Sequence, residues 1–539
     1  MLKRSSKVVF DSCHAAAEEH RGKEIVDPFK RLPDAIVSVI LDKVFEAKYL
    51  CRKKCMKNDR IGLGSEGKRK GGTVSREKAI CSQKRGGAAR YGNKDRRGDR
   101  WVEEERWSCE TIERVAIRWE RMDASLQFEI ISETFIKPSS PTPTSLRYHK
   151  LSLLDQGISP YLLIPVAFFY PNIKGTRWLA NEISQLLKSS LSKTLAQYYP
   201  FAGRLMKNGY MIDCNDMGAQ FTEGRINCRV SEIRKQLSSG KMEDLIFARS
   251  LFSGPALANH RSLVFVQLSS FNCGGIVLSV SINHRIADAS SVSTFMNDWA
   301  AIARQTSDIP SPHLHAASLF PPVDGQQFPK PSPPKLDQGK HVKRILAFHA
   351  SKIGELKAIA LNSGVENPTR FEVVSALLYG CFMSAASKAN SGSHSRPSIF
   401  VNAVNFRQII VPPLPQNSVG NFFAYFPTSV DNNAEVKLPE LVNKLREGKT
   451  KLLKECTENI NSILSRQEAS HSAPLSTAAT ETHNSDLYGC SSWCRFPFYG
   501  VDFGWGTPSL VDVNVPEGLI AESYPSTLHR KRKQLPVCS

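Results

Sequence analysis

The period of the hydrophobic pattern changes repeatedly along the chain from about residue 122 onward. Gln127 to Ile136 and Gly275 to Asn283 have the alternation and the content of branched apolar residues that predict strands. Leu179 to Tyr199 carries apolar residues at helical spacing, and so does the segment from Val292 to about Arg304. The helix predicted from Val292 follows directly on the strand predicted at Gly275 to Asn283, and open α/β sheets place their catalytic residues at such a junction.

A second patterned region follows a long segment without a clear period. Pro310 to Pro334 is rich in Pro, Gly and Gln, as expected of a crossover between domains. Beyond it, Val373 to Ala386 predicts an apolar helix, and Val401 to Arg407 predicts a strand. We therefore expect an N-terminal domain at 122–308, a linker at 309–340 and a C-terminal domain at 341–510.

The first 121 residues are patterned differently. After Leu32-Pro33-Asp34, apolar residues recur at spacings of three and four and predict one amphipathic helix. From Asn58 to Arg100, Gly and charged residues dominate, so this stretch cannot bury enough apolar surface to offset the entropy of ordering it. We expect residues 1–121 to be an extension with one helix and a disordered basic segment.

The formal net charge of +20 is concentrated in that extension. Residues 51–100 hold 17 Lys and Arg against 5 Asp and Glu, which is more than half of the excess. Only Tyr91 and Trp101 are nearby to stack on bases, so we expect a solvated linker and no nucleic-acid partner. The chain as a whole has 539 residues, 41% of them hydrophobic, and can bury two cores.

No segment has the pattern of a membrane span or a signal peptide. The longest apolar run, Tyr161 to Tyr170, is about half as long as a bilayer span requires. The 13 cysteines lack the dense spacing of a disulfide scaffold, which favours reduced thiols. The pairs Cys51/Cys55 and Cys490/Cys494 have no second ligand pair at zinc-site spacing. We expect a soluble, cytoplasmic protein without a metal site.

Two short strings carry the strongest chemical signal. His-Arg-Ile-Ala-Asp runs from His284 to Asp288, and Asp-Phe-Gly-Trp-Gly runs from Asp502 to Gly506. The first pattern arises by chance about once in a chain this long, the second in roughly one such chain in ten thousand. Alone, His284 could be a satisfied core histidine and Asp288 a helix N-cap. Together and in this order, the strings resemble the signature of the BAHD family of plant acyltransferases.

Further phrases extend the resemblance over about residues 122–510. They are Leu-Ser-Leu-Leu-Asp-Gln from Leu151, Tyr-Pro-Phe-Ala-Gly-Arg-Leu from Tyr199, Asn-Phe-Arg from Asn405 and Gly-Asn from Gly420. Segments 129–148 and 494–499 look most like the branch that contains vinorine synthase. The resemblance implies the two-domain α/β fold of CoA-dependent acyltransferases, similar to chloramphenicol acetyltransferase. In that fold each domain is a mixed sheet flanked by helices, and a channel runs between the domains.

The resemblance also implies the reaction. An acyl group, most often acetyl in that branch, moves from acyl-CoA to a hydroxyl of an alkaloid or terpenoid alcohol. A thioester is already activated, so the enzyme needs a base and no covalent intermediate, and imidazole titrates near working pH. His284 is therefore the predicted general base in a ternary complex. Acyl-CoA is a co-substrate, no cofactor is bound permanently, and family members are usually monomers.

Other site residues follow from the resemblance residue by residue. Asp288 is expected to support the turn through an ion pair with an Arg, for which Arg407 is the candidate. Ser491 and Trp493 match a phrase on the acceptor side, where either could donate a hydrogen bond to the oxyanion. Thr369 and Arg370 are expected on the CoA side, where a positive charge suits the phosphates.

The Asp-Phe-Gly-Trp-Gly string is expected to be structural. Kinases use Asp-Phe-Gly to hold magnesium, but this chain lacks their Gly-rich loop, His-Arg-Asp loop and strand lysine. In the family the segment shapes the C-terminal domain and the CoA side of the channel. Its residues here are Asp502, Phe503, Gly504, Trp505 and Gly506.

Both ends of the chain depart from the family. Asp27 to Arg52 resembles the first half of an F-box, the module that binds Skp1, so an adaptor or a catalytically dead binding protein is the alternative to an enzyme. The tail at 511–539 is basic and does not match the strand that completes the C-terminal sheet in the family. We expect an incomplete sheet edge there, as in a fused, truncated or mis-joined reading frame.

Overall fold

The structure is a computed structural model, and all described residues lie within 107–539. It describes residues 127–171, 180–207, 209–236, 243–247, 262–322, 346–389, 397–430, 436–458, 485–513 and 533–534. The predicted extension at 1–121, with its F-box-like helix and basic segment, lies outside the described residues.

Thirteen strands and nine α-helices are assigned in the described part of the chain. The strands are β1 (Phe128–Ile136), β2 (Tyr148–Lys150), β3 (Leu163–Tyr170), β4 (Arg204–Leu205), β5 (Met211–Asp213), β6 (Ala219–Ile226), β7 (Val264–Phe271), β8 (Ile276–Asn283), β9 (Ser398–Asn405), β10 (Phe423–Val430), β11 (Asp486–Ser491), β12 (Leu510–Val513) and β13 (Lys533–Gln534). The helices are α1 (Leu153–Gln156), α2 (Ala180–Gln197), α3 (Val230–Gln236), α4 (Glu243–Ile246), α5 (Ala289–Ala303), α6 (Ala316–Leu319), α7 (Ala350–Asn362), α8 (Arg370–Ala389) and α9 (Leu438–Glu458).

The first sheet has six strands in the order β1-β6-β7-β8-β3-β12. It is mixed, because β6 and β7 are parallel while the other neighbours are antiparallel. Every residue of β3 and β8 is buried, including the polar residues Ser279, Ser281 and Asn283 of β8. Helices α2 and α5 bury their apolar faces against one side of this sheet, through residues such as Leu187, Leu191, Phe295 and Trp299.

The second sheet has the order β10-β9-β11-β13 and is also mixed. β10 is antiparallel to β9, and β11 is parallel to both β9 and β13. Helices α7, α8 and α9 bury their apolar faces in its core, where Tyr379 of α8 stacks on Phe400 at 4.7 Å between ring centroids. A third, small antiparallel sheet has the order β2-β5-β4.

Two strands are formed by residues near the C-terminal end of the described chain. β12 pairs with β3, so the chain returns to the first sheet after the second one is built. In the tail, which was expected to leave the sheet edge incomplete, Lys533 and Gln534 pair with Tyr488 and Gly489 at the edge of the second sheet. That edge strand is two residues long.

Candidate active site

The turn that carries His284 joins a buried strand to a buried helix. β8 ends at Asn283, and Asp288 is the N-cap of α5, where its side chain accepts a hydrogen bond from Ser291 N at 2.8 Å. The His284 backbone N–H donates to the Leu162 carbonyl at 2.8 Å. The turn lies where the change of hydrophobic period predicted it, and these hydrogen bonds anchor it at both ends.

The imidazole of His284 is held by Asn421. Asn421 Nδ2 donates to the His284 carbonyl at 2.8 Å, which leaves Asn421 Oδ1 as the acceptor 2.9 Å from His284 Nδ1. This assignment puts the proton on Nδ1 and makes Nε2 the basic nitrogen. Burial lowers the pKa of His284 below its ordinary value of 6.5, although the Asp288 charge and the bond to Asn421 oppose the shift. The imidazole is thus neutral and oriented near neutral pH.

Asn421 is itself held by Asp155, a buried carboxylate in α1. Asp155 Oδ1 accepts from Asn421 N at 2.9 Å and from Asn421 Nδ2 at 2.8 Å. Asp155 Oδ2 accepts from Ser152 N at 3.1 Å and from Ser152 Oγ at 2.6 Å. Burial raises the pKa of the Asp155 carboxyl, while these four hydrogen bonds favour its charged form. An Asp155–Asn421–His284 chain therefore fixes the base from both halves of the protein.

Asp288 faces Arg407 and makes no hydrogen bond to the imidazole. Arg407 Nη1 lies 2.7 Å from Asp288 Oδ2, and Nη2 lies 3.0 Å from Oδ1. Ser291 and the Phe422 backbone N–H donate to the same carboxylate. Arg407 is fully buried, and its guanidinium also donates to the backbone carbonyls of Ser418 and Gly420 and to side-chain oxygens of Asn405 and Ser291. The ion pair between Asp288 and Arg407 that the family resemblance implied is observed. Asp288 is also a helix N-cap, as the interpretation of the His-x-x-x-Asp string alone proposed.

Gly420 is the backbone position on which this arrangement depends. Its φ of 140° lies in the region that favours glycine, and a Cβ there would come within 3.1 Å of Phe422 and 3.2 Å of Ala316. The Gly420 carbonyl accepts from Arg407 Nη2 and from Ser291 Oγ, and its N–H donates to Ser291 Oγ. A side chain at position 420 would disturb both the cap and the ion pair.

Arg285, inside the His-x-x-x-Asp string, connects the turn to neighbouring loops by hydrogen bonds. It is buried and donates to the carbonyls of Ile158 at 2.5 Å, Gln156 at 3.2 Å and Gly209. Burial lowers its pKa to about 10, because its partners are neutral carbonyls. Asp155, Asn421 and Arg285 were not predicted as site residues, although each stands inside a phrase that carried the family resemblance.

Ser491 and Trp493 lie at the end of β11. Trp493 Nε1 donates to Ser491 Oγ at 3.2 Å, and its ring stacks on Phe498 at 5.3 Å between centroids. Because the indole N–H is engaged with Ser491, the Ser491 hydroxyl keeps a proton to donate to a third group. Thr369 caps α8 in a reciprocal bond with Glu372, and Arg370 is exposed beside it. The Thr369 side chain thus has a structural partner in this structure.

The Asp502 to Gly506 segment is a tight loop that belongs to the first core. Asp502 Oδ1 accepts from the N–H groups of Gly504 and Gly506, both at 2.8 Å. Gly504 and Gly506 have φ of 111° and 102°, a backbone conformation that favours glycine, which explains why the string has glycine at both positions. Phe503 and Trp505 pack with the helices and strands of the first sheet, so its assignment to the C-terminal domain is corrected.

No metal or membrane feature appears in the described part of the chain. There, no three His, Cys, Asp or Glu side chains lie together as metal ligands would. No described helix is both long enough and apolar enough to cross a bilayer. None of the cysteines within the described ranges forms a disulfide.

Comparison with known proteins identifies the family. The model of the Transferase family matches residues 126–526. The chain belongs to this family, the BAHD acyltransferases. It is similar to akuammiline synthase 1 of Alstonia scholaris, with 47% identity over 71% of this chain and 86% of that protein. It is 42% identical to a 17,18-epoxy-17-hydroxycur-19-ene N-malonyltransferase of Strychnos nux-vomica, over 74% of this chain and 84% of that one.

The fold is that of a solved relative. The crystal structure of vinorine synthase matches with a TM-score of 0.57 and 30% identity, covering 73% of this chain and 90% of that one. The predicted family and two-domain α/β acyltransferase fold are confirmed. The protein is an acyl-CoA-dependent acyltransferase of plant specialised metabolism, and acyl-CoA is its co-substrate.

Proposed function

We propose that the enzyme transfers an acetyl group from acetyl-CoA to a hydroxyl of an alkaloid or terpenoid alcohol in the cytoplasm, acting as a monomer with His284 as the general base. The observation that carries the proposal is the hydrogen bond from His284 Nδ1 to Asn421 Oδ1, because it presents Nε2 as a neutral base. The relatives include an N-malonyltransferase and an O-acetyltransferase, so the identity of the acyl donor is part of the proposal.

The steps follow from the geometry of the base. His284 Nε2 takes the proton of the acceptor hydroxyl as its oxygen attacks the thioester carbonyl. The tetrahedral oxyanion accepts a hydrogen bond from Ser491 Oγ, with Trp493 holding that hydroxyl in place. When the intermediate collapses, the C–S bond breaks and the CoA thiolate takes the proton from His284 Nε2. Asp288 and Arg407 hold the turn and take no part in proton transfer, while Thr369 and Arg370 lie on the CoA side.

The first test is thermal unfolding of the full chain with and without CoA. A ligand at a hundred times its dissociation constant stabilises the folded state by about 2.7 kcal/mol, so CoA should raise the midpoint clearly. Transfer of the acetyl group from acetyl-CoA to alkaloid or terpenoid alcohols is then measured for the wild type, His284→Ala and the control His349→Ala. His349 is an exposed histidine whose side chain makes no capping bond.

The two variants separate a base from a structural histidine. We expect His284→Ala to lose transfer while CoA still raises its unfolding midpoint, and His349→Ala to behave like the wild type. A wild-type chain that unfolds cooperatively but is not stabilised by CoA would favour the binding-protein alternative. Transfer retained by a well-folded His284→Ala would show that another group is the base.

A further inference from the structure

Two cysteines lie at the same end of the first sheet. β6 and β7 are parallel neighbours, and their last residues, Ile226 and Phe271, are paired. Cys228 follows the end of β6 by two positions, and Cys273 follows the end of β7 by two positions, in the turn that leads into β8. The Asn272 backbone N–H donates to the Cys228 carbonyl at 3.1 Å, so the two segments are still hydrogen-bonded where the cysteines stand.

Both thiols pack on one hydrophobic cluster, on the face of the first sheet opposite to α2 and α5. Cys228 is buried in this cluster, and Cys273 is half-buried against it. The turn of Cys273 lies close to the start of α3, because a Cβ at Gly275 would come within 2.8 Å of the Val230 side chain. Burial raises the pKa of the Cys228 thiol to about 12, with smaller contributions from Glu232 and from the Cys273 thiol. The two sulfur atoms are therefore close enough to influence each other.

The spacing of the two segments suits a disulfide. Neighbouring strands lie about 4.8 Å apart, and disulfides join residues whose Cα atoms are about 4.4–6.8 Å apart. Both cysteines are free thiols in the structure, so a bridge has to form by oxidation of the folded chain. Disulfides in reducing compartments are usually transient and respond to redox conditions. A half-buried thiol beside a buried one fits that class, because the first meets the oxidant and the second completes the bridge.

We propose that Cys228 and Cys273 are a reversible oxidation site, at which a low-molecular-weight disulfide such as oxidised glutathione converts the two thiols into one intramolecular disulfide. The site is separate from the acyl-transfer chemistry, since the turn of Cys273 precedes β8 whereas His284 follows its other end. A bridge here ties the end of β6 to the turn between β7 and β8. It also closes the intervening chain into a loop, which restricts the unfolded state and stabilises the fold.

The oxidation takes two thiol–disulfide exchanges, and Cys273 reacts first because Cys228 is buried and its raised pKa keeps it protonated. Cys273 loses its proton to solvent, and its thiolate attacks one sulfur of oxidised glutathione; the S–S bond of glutathione breaks and one glutathione thiolate leaves. Cys228 then loses its proton and attacks Sγ of Cys273, which breaks the mixed disulfide and releases the second glutathione thiolate. The two leaving thiolates take up the two protons. Two protein thiols are thus oxidised, and one oxidised glutathione is reduced to two molecules of reduced glutathione.

The test incubates the folded full chain in mixtures of oxidised and reduced glutathione. Free thiols are then blocked with N-ethylmaleimide, and the chain is digested with trypsin without reduction and analysed by mass spectrometry. Peptides 226–229 and 262–285 each contain one cysteine, and they are released by cleavage after Arg225, Arg229, Arg261 and Arg285. The unfolding midpoint of the full chain is measured before and after oxidation.

The variants are Cys228→Ala and Cys273→Ser, with Cys381→Ser as the control. Cys381 is a half-buried thiol on α8, outside the first sheet. In the wild type and the control, we expect peptides 226–229 and 262–285 to become joined and to separate again on treatment with dithiothreitol. Oxidation should raise the unfolding midpoint of both by a few degrees.

The two site variants test the order of the steps. Cys228→Ala should retain glutathione on peptide 262–285, because the thiol that displaces it has been removed. Cys273→Ser should form no bridge and carry no glutathione on peptide 226–229, because Cys228 is buried. Oxidation should leave the unfolding midpoint of Cys273→Ser unchanged.

Three results would overturn the inference. One is a folded wild type that yields no joined peptide at any ratio of oxidised to reduced glutathione. Another is a joined peptide that appears only after the chain is unfolded in urea, because the fold would then hold the two sulfur atoms apart. The third is an unfolding midpoint that falls when the bridge forms, which would show that the native backbone does not accommodate it.

Discussion

Removing the Asp288 carboxylate should destabilise the fold far more than removing an exposed charge. Arg407 is fully buried, and its two terminal nitrogens lie 2.7 and 3.0 Å from the Asp288 oxygens. Asp288→Ala would leave this guanidinium without its counter-ion, a loss that costs about 3–5 kcal/mol in buried pairs. The same change removes the N-cap of α5, which adds about 1 kcal/mol.

Asp288→Asn separates the charge from the cap. An amide oxygen can still accept from Ser291 N, so the cap survives in part while the ion pair is lost. We expect its free energy of unfolding to fall between those of the wild type and Asp288→Ala. Because no Asp288 oxygen bonds the imidazole, Asp288→Asn should also retain more activity than His284→Ala at a temperature where both are folded.

The assay is denaturant unfolding, analysed as a double-variant cycle. Asp288→Leu and Arg407→Met are measured singly and together, and we expect the double variant to recover much of the loss because no charge is left unpaired. Glu458→Gln is the control, since Glu458 and Lys454 are both exposed and 3.8 Å apart. Additive losses in the cycle, or equal activity losses in well-folded Asp288→Asn and His284→Ala, would refute the reasoning.

Three further predictions concern the base and the oxyanion. Because burial lowers the pKa of His284, the acid limb of kcat/KM should lie below pH 6.5, and the rate should fall only as pH drops through that lowered value. Asn421→Ala should lower kcat by up to about a hundredfold. It should also move the acid limb of kcat/KM to lower pH, because the hydrogen bond that is lost stabilises the imidazolium. An acid limb that moves to higher pH would contradict the assignment. Ser491→Ala should lower kcat by about 100- to 1000-fold with little change in KM if its hydroxyl serves the oxyanion, whereas a change confined to KM would place it in binding.

The local parts of the site could be predicted from the sequence. The strand ending at Asn283 and the helix beginning after Asp288 follow from hydrophobic period, which depends on residues a few positions apart. The position of His284 at the turn between them follows from the same pattern. The observed β9, Ser398–Asn405, begins and ends a few residues before the predicted strand at 401–407, an error typical of boundaries set by pairing.

The contacts between residues far apart in the sequence could not be predicted from hydrophobic period or from helix and strand propensity. Asn421 bonds a histidine 137 positions away and a carboxylate 266 positions away. Phe503 and Trp505 enter the first core because β12 pairs with β3, and no property of the segment itself names that partner. The cap that Thr369 forms on α8 is a local contact by comparison, and the Glu three positions later could have indicated it.

The same few residues orient the base and join the two sheets, so activity and stability are coupled at this site. Asp155, His284 and Asp288 precede the second sheet in the chain, and each bonds a group between residues 407 and 422. A substitution in that segment, such as Gly420→Ala at φ 140°, would strain the backbone whose carbonyl also accepts from Arg407. It would therefore lower the free energy of unfolding and misplace the imidazole together. Loss of activity in such a variant identifies a catalytic role only when the ion pair of Asp288 and Arg407 is shown to be intact.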